Sequence, residues 1–422
     1  MAGEWRPSNW GDEVSLEYGK AIRGYSKTHG KYRVFGSNGP IGWTAEPLAQ
    51  GPGVILGRKG AYRGVEYWPD PYWVIDTAYY LVPKTDLDMR WLYYAVKHYK
   101  LGEIDDGSPI PSTTRAAVYM QDVDVPPKPE QRAIAHILGT LDDKIELNRR
   151  RNQTLEAMAR ALFNDWFVDF GPVRAKMEGR WKPGQSIPGL PTHIYDLFPD
   201  QLVESELGEI PEGWRYQTLA QLTDKVGSGA TPRGGSKVYI DEGVALIRSQ
   251  NVYDSLFVWD GLVRISDEAA EQLKGVTVQQ EDVLLNITGA SILRTCIVEA
   301  SVLPARVNQH VAIIRTKPGV PPRFVHMHLL RPDIKNYMLG LNAGASREAI
   351  TKGHIESLPL LTPSSELLEA FRSETDPLFQ RGKCISQEIR WLGELRDTLL
   401  PKLLSGELRI KDAKRFMEGA RV

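Results

Sequence analysis

IAHILGTLDDKIELNRRRNQTLEAMARALFNDW, residues 134–166, decides the fold of this chain of 422 residues. Read at alternating steps of four and three, it forms one stripe with eight apolar members of ten: Ile134, Leu138, Leu141, Ile145, Asn148, Asn152, Leu155, Ala159, Leu162 and Trp166. This spacing is typical of a coiled-coil seam. The stretch therefore predicts a long helix that packs against a second one.

The same stripe returns near the end of the chain. Adding 237 to each position gives a second stripe with seven apolar members of ten: Phe371, Thr375, Leu378, Gly382, Ile385, Ile389, Leu392, Arg396, Leu399 and Leu403. Pro129 and Pro363 suit the first turn of a helix, and Ser405-Gly406 suits the end of the second one. At 1.5 Å per residue, about 40 residues make a rod of roughly 60 Å.

Among the residues that interrupt this pattern, two asparagines and one proline have physical consequences for the helices. Asn148 and Asn152 lie on the first seam at the positions that Ile385 and Ile389 occupy in the second. Buried there, the two amides would cost stability and fix the register of the helices. The alternative is that they face solvent or a partner subunit. Pro401 is expected to kink or loosen the last turn of the second helix.

The segments that precede the helices also repeat. GVILGRKGAYRGVEY (53–67) and DVLLNITGASILRTCIV (282–298) are short β-rich runs interrupted by glycine, as strands and tight turns require. Gly60-Ala61 matches Gly289-Ala290, and the following strands, WVIDTAYYLV (73–82) and ARVNQHVAIIR (305–315), place Asp76 on Asn308. The difference in residue number between equivalent positions grows from about 208 at the start of the copies to 237 at the helices. The sequence thus predicts two α/β heads that diverged and two helices that did not.

Glycine and proline mark the boundaries of these parts. After the first helix, Gly171-Pro172 opens a stretch rich in both residues, which predicts a linker or an irregular connection. The predicted parts are a first head (1–127), a first helix (128–170), a linker (171–213), a second head (214–361), a second helix (362–406) and a tail (407–422).

Composition limits the class of protein. With 42% hydrophobic residues, the chain can bury two or three ordinary cores. Cys296 and Cys384 lie far apart without nearby Cys or His partners, so neither a disulfide framework nor a zinc site is predicted. The N-terminal residues lack a targeting pattern, and no run of eighteen apolar residues occurs. We expect a cytoplasmic protein without a membrane segment.

A basic segment stands out against the net charge of −1. Residues 20–63 hold eight basic residues and one acidic residue, a net of +7, with tyrosine, phenylalanine and tryptophan interleaved. Such a patch is the expected footprint of a surface that contacts phosphates. The alternative is a solvated basic face over core aromatics.

Catalytic motifs are mostly missing. The sequence has no GxxxxGK[ST] motif, so it predicts no nucleotide-triphosphate loop. Asp70-Pro71-Tyr72-Trp73 is similar to the D/N-P-P-Y/F loop of amino-methyltransferases, but the second proline is missing and no cofactor loop precedes it. We interpret this segment as a turn between two strands.

In this order, seven segments resemble the specificity (S) subunit of type I restriction-modification enzymes over essentially the whole chain. They are YGK…GSNGPIG (18–42), GPGVILGRKGAYRGV (51–65), PPKPEQRAIAHILGTLDDKI (126–145), FNDWFVDFGPVRAKMEG (163–179), DLFPDQLVESELGEIPEGW (196–214), RSQNV (248–252) and DVLLNITGA (282–290).

The resemblance implies that DNA recognition and catalysis are carried out by different subunits. Each head would be a target recognition domain that reads one half of a split, asymmetric site in double-stranded DNA. The two helices would pack antiparallel as a spacer and dock two methyltransferase subunits. The chain itself would catalyse nothing. S-adenosylmethionine would bind the methyltransferase subunits, and ATP with Mg²⁺ would bind restriction subunits where these are present.

Candidate DNA contacts are forked donors and amides, because Arg or Lys suits guanine and Asn or Gln suits adenine. In the first head they are Lys20, Arg23, Lys27, Asn38, Arg58, Lys59, Tyr62, Arg63 and Arg115. In the second head they are Arg233, Lys237, Arg248, Gln250, Asn251, Thr288, Ser291, Arg294, Asn308, Gln309, Arg347 and Lys352. Any one of them reads a base, contacts a phosphate or is a plain surface charge. A self-contained methyltransferase and a protein-binding scaffold are the competing hypotheses.

Overall fold

The computed structural model describes residues 5–105, 107, 111–206, 208–232, 234, 238–341, 349–408 and 410. The chain forms two compact units. Unit 1 comprises Met1–Asn152 and Lys383–Val422, and unit 2 comprises Gln153–Gly382. Each unit therefore includes part of both long helices.

Unit 1 combines a run of short strands with three shorter helices and parts of both long helices in the residues described. Its strands are β1 (Arg6–Asn9), β2 (Val14–Tyr18), β3 (Tyr32–Gly36), β4 (Gly39–Thr44), β5 (Gly53–Gly57), β6 (Val65–Trp68), β7 (Tyr72–Val74), β8 (Ala78–Pro83) and β9 (Asp122–Val125). Its helices are α1 (Trp10–Glu13), α2 (Met89–His98), α3 (Arg115–Tyr119), the first part of α4 (Lys128–Phe167) and the last part of α11 (Ser365–Leu404).

Two sheets form the centre of unit 1. The first is antiparallel with the order β2-β8-β5-β6, and the second has the order β4-β3-β7 with β3 and β7 parallel. Strand β5 is buried along its whole length. Val54 and Leu56 pack into the core that contains α2, whereas Ile55 packs with Phe35 and Val74 of the second sheet. Burial on both faces explains why GVILG is a continuous apolar run.

Unit 2 begins within α4 and continues with α5 (Gly171–Met177), α6 (Leu219–Leu222), α7 (Asp267–Gln272), α8 (Pro322–Leu330), α9 (Pro332–Gly340), α10 (Lys352–Glu356) and the first part of α11 (Ser365–Leu404). Its strands are β10 (Leu202–Ser205), β11 (Gly208–Pro211), β12 (Arg215–Thr218), β13 (Thr223–Ser228), β14 (Tyr239–Ile240), β15 (Val244–Ile247), β16 (Val252–Tyr253), β17 (Leu256–Phe257), β18 (Val263–Ile265), β19 (Val283–Asn286), β20 (Thr295–Ile297), β21 (Ala305–Val307), β22 (Val311–Thr316) and β23 (Pro359–Thr362).

The sheets of unit 2 repeat those of unit 1. One has the order β13-β22-β19-β20, and the other has the order β14-β18-β15-β21 with β15 and β21 parallel. Each strand of unit 1's two sheets has a counterpart, and β14 is an addition at one edge. The predicted fold class, two α/β heads and two long helices arranged as an internal repeat, is therefore confirmed.

The helices α4 and α11 pack antiparallel. In unit 1, three polar contacts join them: Lys144–Glu388 at 3.3 Å, Asn152–Ser386 at 2.9 Å and Asp142–Arg396 at 2.8 Å. In unit 2, the rings of Phe163 and Trp166 lie 6.0 and 5.9 Å from that of Phe371. All residues of the two predicted seams are buried or half-buried.

The two seam asparagines differ in their surroundings. Asn148 is fully buried, and neither its Nδ2 nor its Oδ1 has a hydrogen-bond partner in the described residues. Asn152 is half-buried and donates from Nδ2 to Ser386 Oγ. Asn152 therefore contacts the partner helix, and Asn148, one turn earlier on the same face of α4, is buried.

The helix ends differ slightly from the sequence expectations. Helix α4 ends at Phe167, before the left-handed Phe170 (φ 54°), and α11 begins after Ser364, whose Oγ accepts from Leu367 N at 3.2 Å. Helix α11 runs through Pro401 to Leu404. The N–H of Ser405 still donates to the carbonyl of Pro401 at 3.0 Å, so Pro401 does not end the helix.

The segment predicted as a linker, 171–213, is a folded part of unit 2. It contains α5 and the hairpin β10-β11. Trp181 and Phe198 are almost completely buried, and Phe198 packs against Trp166 of α4 at 5.1 Å. Its aromatic residues therefore anchor it, although proline and glycine keep most of it irregular. Among the helices in the described residues, none combines the length and the apolar character of a membrane span.

Candidate nucleic-acid interface

Four loops of unit 1 meet at one end of its first sheet. They are the turn 37–38, the loop 58–64, the turn 75–77 and the segment 111–114, which we call the first loop cluster. Backbone hydrogen bonds join them: Arg58 N to Thr77 O (3.0 Å), Gly64 N to Ser37 O (2.8 Å), Gly60 N to Pro111 O (3.0 Å) and Thr113 N to Arg58 O (2.9 Å).

Glycine makes this close approach possible. At Gly57, an added Cβ would lie 2.1 Å from the carbonyl oxygen of Ser37. Gly60 has φ of +107°, a conformation that other residues rarely adopt. The glycines of GVILGRKGAYRG therefore shape a tight loop on which charged side chains stand.

Two guanidinium groups stack on an exposed tyrosine beside this cluster. The Arg115 and Arg58 guanidinium carbons lie 4.2 and 5.0 Å from the ring centroid of Tyr18, which is 45% exposed. Arg58 Nη1 also donates to the carbonyl of Asp76 at 2.9 Å. Burial, and next the neighbouring Tyr18, raise the pKa of Tyr79, so its hydroxyl stays neutral. The arrangement holds two positive charges at the surface with little freedom to move.

The other predicted contacts of unit 1 lie in different places. Lys20, Asn38, Lys59 and Tyr62 are exposed on or next to the cluster, and Arg23 is exposed on the loop after β2. Lys27 follows Ser26, which pairs with Trp43 near the far end of β4 from the turn 37–38. The structure therefore does not bring Lys27 to the cluster. Asp70 lies in a bend between β6 and β7, as predicted, at the opposite end of β6 from the loop 58–64.

Unit 2 has an equivalent set of loops, the second loop cluster. It comprises 229–232, 248–251, 287–294, 308–310 and 349–350. Four of its backbone hydrogen bonds have counterparts in unit 1: Ile287 N to His310 O (3.0 Å) matches Arg58 N to Thr77 O, Ile350 N to Ile287 O (2.8 Å) matches Thr113 N to Arg58 O, Asn308 N to Ile247 O (3.0 Å) matches Ile75 N to Phe35 O, and Gly229 N to Val311 O (3.2 Å) matches Gly19 N to Ala78 O.

These bonds define which residues correspond, and they correct the sequence alignment by one position. Ile75 N donates to Phe35 O in unit 1 as Asn308 N donates to Ile247 O in unit 2. Asn308 therefore corresponds to Ile75, and Asp76 corresponds to Gln309. The two strand segments share too few residues to fix their register from the sequence, whereas the parallel pairing of β7 with β3 and of β21 with β15 fixes it.

A chain of polar side chains crosses the second loop cluster. Thr231 Oγ1 donates to Gln309 Oε1, Gln309 Nε2 lies 3.1 Å from His310 Nε2, and His310 Nδ1 lies 2.7 Å from Thr288 Oγ1. Gln309 is exposed, whereas Thr288 and His310 are half-buried. Sequence reasoning missed Thr231 and His310, and the Gln-His pair directly before β22 is the signal that could have found His310.

Three basic residues lie beside this chain or at its edge. The guanidinium carbon of Arg294 lies 4.3 Å from the ring centroid of Tyr253. Arg248 Nη2 donates to Gly261 O at 2.5 Å, and its guanidinium carbon lies 5.6 Å from the ring centroid of Tyr239. Lys352 is exposed at the start of α10 and pairs with Glu356 at 3.4 Å. Ser291 is half-buried and Gln250 is exposed within their loops.

Two predicted contacts of unit 2 have structural roles instead. Asn251 is fully buried, and its amide binds Arg248 N, Val258 O and Asp260 O. Asn308 is 9% exposed, and its Oδ1 accepts from His310 N at 3.1 Å. Both amides are used inside the protein and hold loops in place. Arg233, Lys237 and Arg347 lie outside the described residues.

This fold and these paired loops define a two-headed protein without a recognised catalytic motif. A family model for the type I restriction modification DNA specificity domain matches residues 13–157. The specificity subunit of type I restriction enzyme HindI from Haemophilus influenzae is 27% identical over 337 residues, 71% of this chain and 71% of that protein. The MjaIX specificity subunit from Methanocaldococcus jannaschii is 24% identical over 338 residues, 79% of this chain and 72% of that protein.

A solved structure shares the fold. The type I restriction-modification S subunit from M. genitalium aligns with a TM-score of 0.59 and 14% identity over 95% of this chain and 96% of that one. The chain is therefore similar over 71–79% of its length to specificity subunits of type I restriction enzymes, and its residues 13–157 match the model of the DNA specificity domain. These relatives are named as specificity subunits, which agrees with the DNA-recognition role that the sequence resemblance implied. Specificity subunits of these systems act in a complex with other subunits and DNA.

Proposed function

We propose that each loop cluster reads one half of a split, asymmetric DNA site. The observation that carries this proposal is the equivalence of the two clusters. The same backbone hydrogen bonds hold unlike side chains: Lys59 corresponds to Thr288, and Asp76 corresponds to Gln309. A constant framework with different polar groups suits two heads that recognise different sequences.

The side chains divide into two roles under this proposal. Arg58 and Lys59 in unit 1 can pair with the acceptors of guanine, and Gln309 in unit 2 can pair with adenine. Exposed Lys20, Arg23 and Lys352 are better placed as phosphate contacts, because they stand at or beyond the edges of the clusters. Phosphate contacts set the affinity and its salt dependence, whereas base contacts set the sequence.

The long helices are the proposed docking surface for two methyltransferase subunits. Leu147 of α4 and Trp391 of α11 are 46% and 42% exposed within unit 1. The antiparallel contacts of Asn152 with Ser386 and Asp142 with Arg396 place these two residues at the same level of the helix pair. Apolar side chains at such a site favour a protein partner. S-adenosylmethionine would bind the methyltransferase subunits, and ATP with Mg²⁺ would bind restriction subunits.

Two binding measurements test this function against its competitors. A DNA-reading subunit binds duplex DNA with an affinity that falls steeply as salt rises, and the purified chain takes up no S-adenosylmethionine in calorimetry. Cofactor binding by the chain alone would favour a self-contained methyltransferase. A lack of salt-dependent DNA affinity would favour a scaffold that binds only proteins.

A further inference from the structure

Arg63 uses its guanidinium group inside the protein. Nε donates to the carbonyl of Gly102 at 2.7 Å, Nη1 to that of Gly60 at 2.9 Å and Nη2 to that of Ile104 at 3.2 Å. Each of the three nitrogens therefore donates to a backbone carbonyl, which uses three of the five N–H donors and fixes the plane of the group, and the side chain is half-buried. A group held in this way is poorly placed to contact a phosphate or a base.

These bonds fasten the loop 58–64 to the body of unit 1. The loop is closed at its base by Gly57 N donating to Gly64 O at 2.8 Å, and Arg63 joins its middle, at Gly60, to the turn 101–104. The contact is tight, since an added Cβ at Gly102 would lie 2.6 Å from the carbonyl oxygen of Arg63. Arg63 therefore fixes where the tip of the loop stands.

Tyr62 is the side chain that this fixed loop presents. It is 78% exposed, the highest value among the large hydrophobic side chains that the structure describes. Its neighbours in the loop are Arg58 and Lys59, both basic. An aromatic ring left in water on a rigid, positively charged loop gains most by packing against the bases or sugars of a nucleic acid.

Unit 2 has no equivalent of the Arg63–Tyr62 pair. Asn286 N donates to Arg294 O as Gly57 N donates to Gly64 O, so the equivalent of residues 58–63 in unit 2 is 287–293, which is one residue longer and contains no arginine; Leu293 precedes Arg294 as Arg63 precedes Gly64. Leu293 is 2% exposed and has φ of 64°, so burial of an apolar side chain fixes the loop there. The effect of the Arg63–Tyr62 pair should therefore be confined to one half-site.

We propose that Arg63 is a positioning residue and that the Tyr62 ring contacts DNA in the half-site read by unit 1. The proposal rests on the proposed function. Arg63 makes no direct DNA contact under this assignment. Its role is to hold the loop 58–64 in place and not to supply a positive charge to the DNA.

The test uses the full chain expressed with its methyltransferase partner, with methylome sequencing in cells and duplex binding by the purified complex. Tyr62→Ala should weaken binding of the wild-type site about tenfold or more and relax only the unit 1 half of the motif. Tyr62→Phe should stay within about threefold of wild type, because the ring is kept. Tyr216→Ala, in an exposed position on β12 of unit 2, is the matched control and should change neither quantity.

Arg63 is tested by comparing two substitutions. A lysine cannot bridge three carbonyls, so Arg63→Lys should lose affinity nearly as much as Arg63→Ala. A phosphate contact would instead tolerate lysine, and full binding by Arg63→Lys would overturn the positioning role. Unchanged affinity and motif in Tyr62→Ala, which alters only an exposed side chain, would overturn the contact. If the wild-type complex itself methylates no split motif, the proposed function fails and not this assignment alone.

Discussion

Two buried histidines on α8 have pKa values well below the ordinary value of histidine. His328 lies between the rings of Phe163 and Phe324, at 4.9 and 4.6 Å, and neither ring nitrogen has a partner in the described residues. Burial lowers the pKa of His328 to about 3. Burial also lowers the pKa of His326 to about 4, although its Nε2 lies 3.2 Å from the carbonyl oxygen of Thr295. Both residues stay neutral in the folded protein near neutral pH.

This burial predicts a loss of stability in mild acid. Between the ordinary histidine pKa of about 6.5 and the lowered values, the unfolded chain binds more protons than the folded one, so the free energy of unfolding falls as pH falls. Replacing His328 with Leu removes one of the two groups. Urea unfolding should show a smaller loss between about pH 7 and pH 5 in His328→Leu than in wild type. His29→Ala, at an exposed site, should keep the wild-type loss, and equal losses in all three proteins would contradict the account.

Individual site residues were predictable by type but not by role. The sequence predicted donors and amides in the loops, and Arg58, Lys59 and Gln309 do stand on the clusters. It could not separate them from Arg63 and Asn251, which carry the same chemical groups. Only the surrounding carbonyls decide whether a guanidinium or an amide is used inside the protein, and these come from segments distant in sequence.

At the scale of elements, the buried amide of Asn148 predicts a gain in stability when it is removed. Neither amide atom of Asn148 has a hydrogen-bond partner in the described residues, whereas Asn152 donates from Nδ2 to Ser386 and only its buried Oδ1 has no partner there. Asn148→Leu should raise the free energy of unfolding by about 1–3 kcal/mol, because an unsatisfied buried polar group is lost. Asn152→Leu should give no gain. Chemical unfolding midpoints measure both, and destabilisation by Asn148→Leu would show that the amide has a partner after all.

The two long helices were easier to predict than residues 171–213, which join α4 to the second head. The stripe of apolar residues at steps of three and four marks α4 and α11 directly, because a continuous helix repeats its contacts. Residues 171–213 carry no period. Their fold depends on Trp181 and Phe198, which are buried in a core built from several distant segments.

At the scale of the molecule, the repeated helices predict that their length sets the spacing of the two half-sites. Removing Glu146–Asn152 from α4 and Ser386–Leu392 from α11 deletes one heptad from each and keeps both seams in register. The change shortens each helix by about 10 Å. The preferred spacing should shorten while both half-sequences remain recognised. An unchanged spacing between the half-sites would mean that the helices dock partner subunits and do not set the distance between the half-sites.

The central claim, that each unit reads its own half-site, is tested most directly by methylome sequencing of cells expressing the complex with Arg58→Ala or Gln309→Ala. Arg58 stands in the first loop cluster and Gln309 in the second. We expect wild type to methylate adenines in a split motif, Arg58→Ala to relax only the half read by unit 1, and Gln309→Ala to relax only the other half. Relaxation of both halves by either substitution, or methylation of an unsplit motif, would contradict the account.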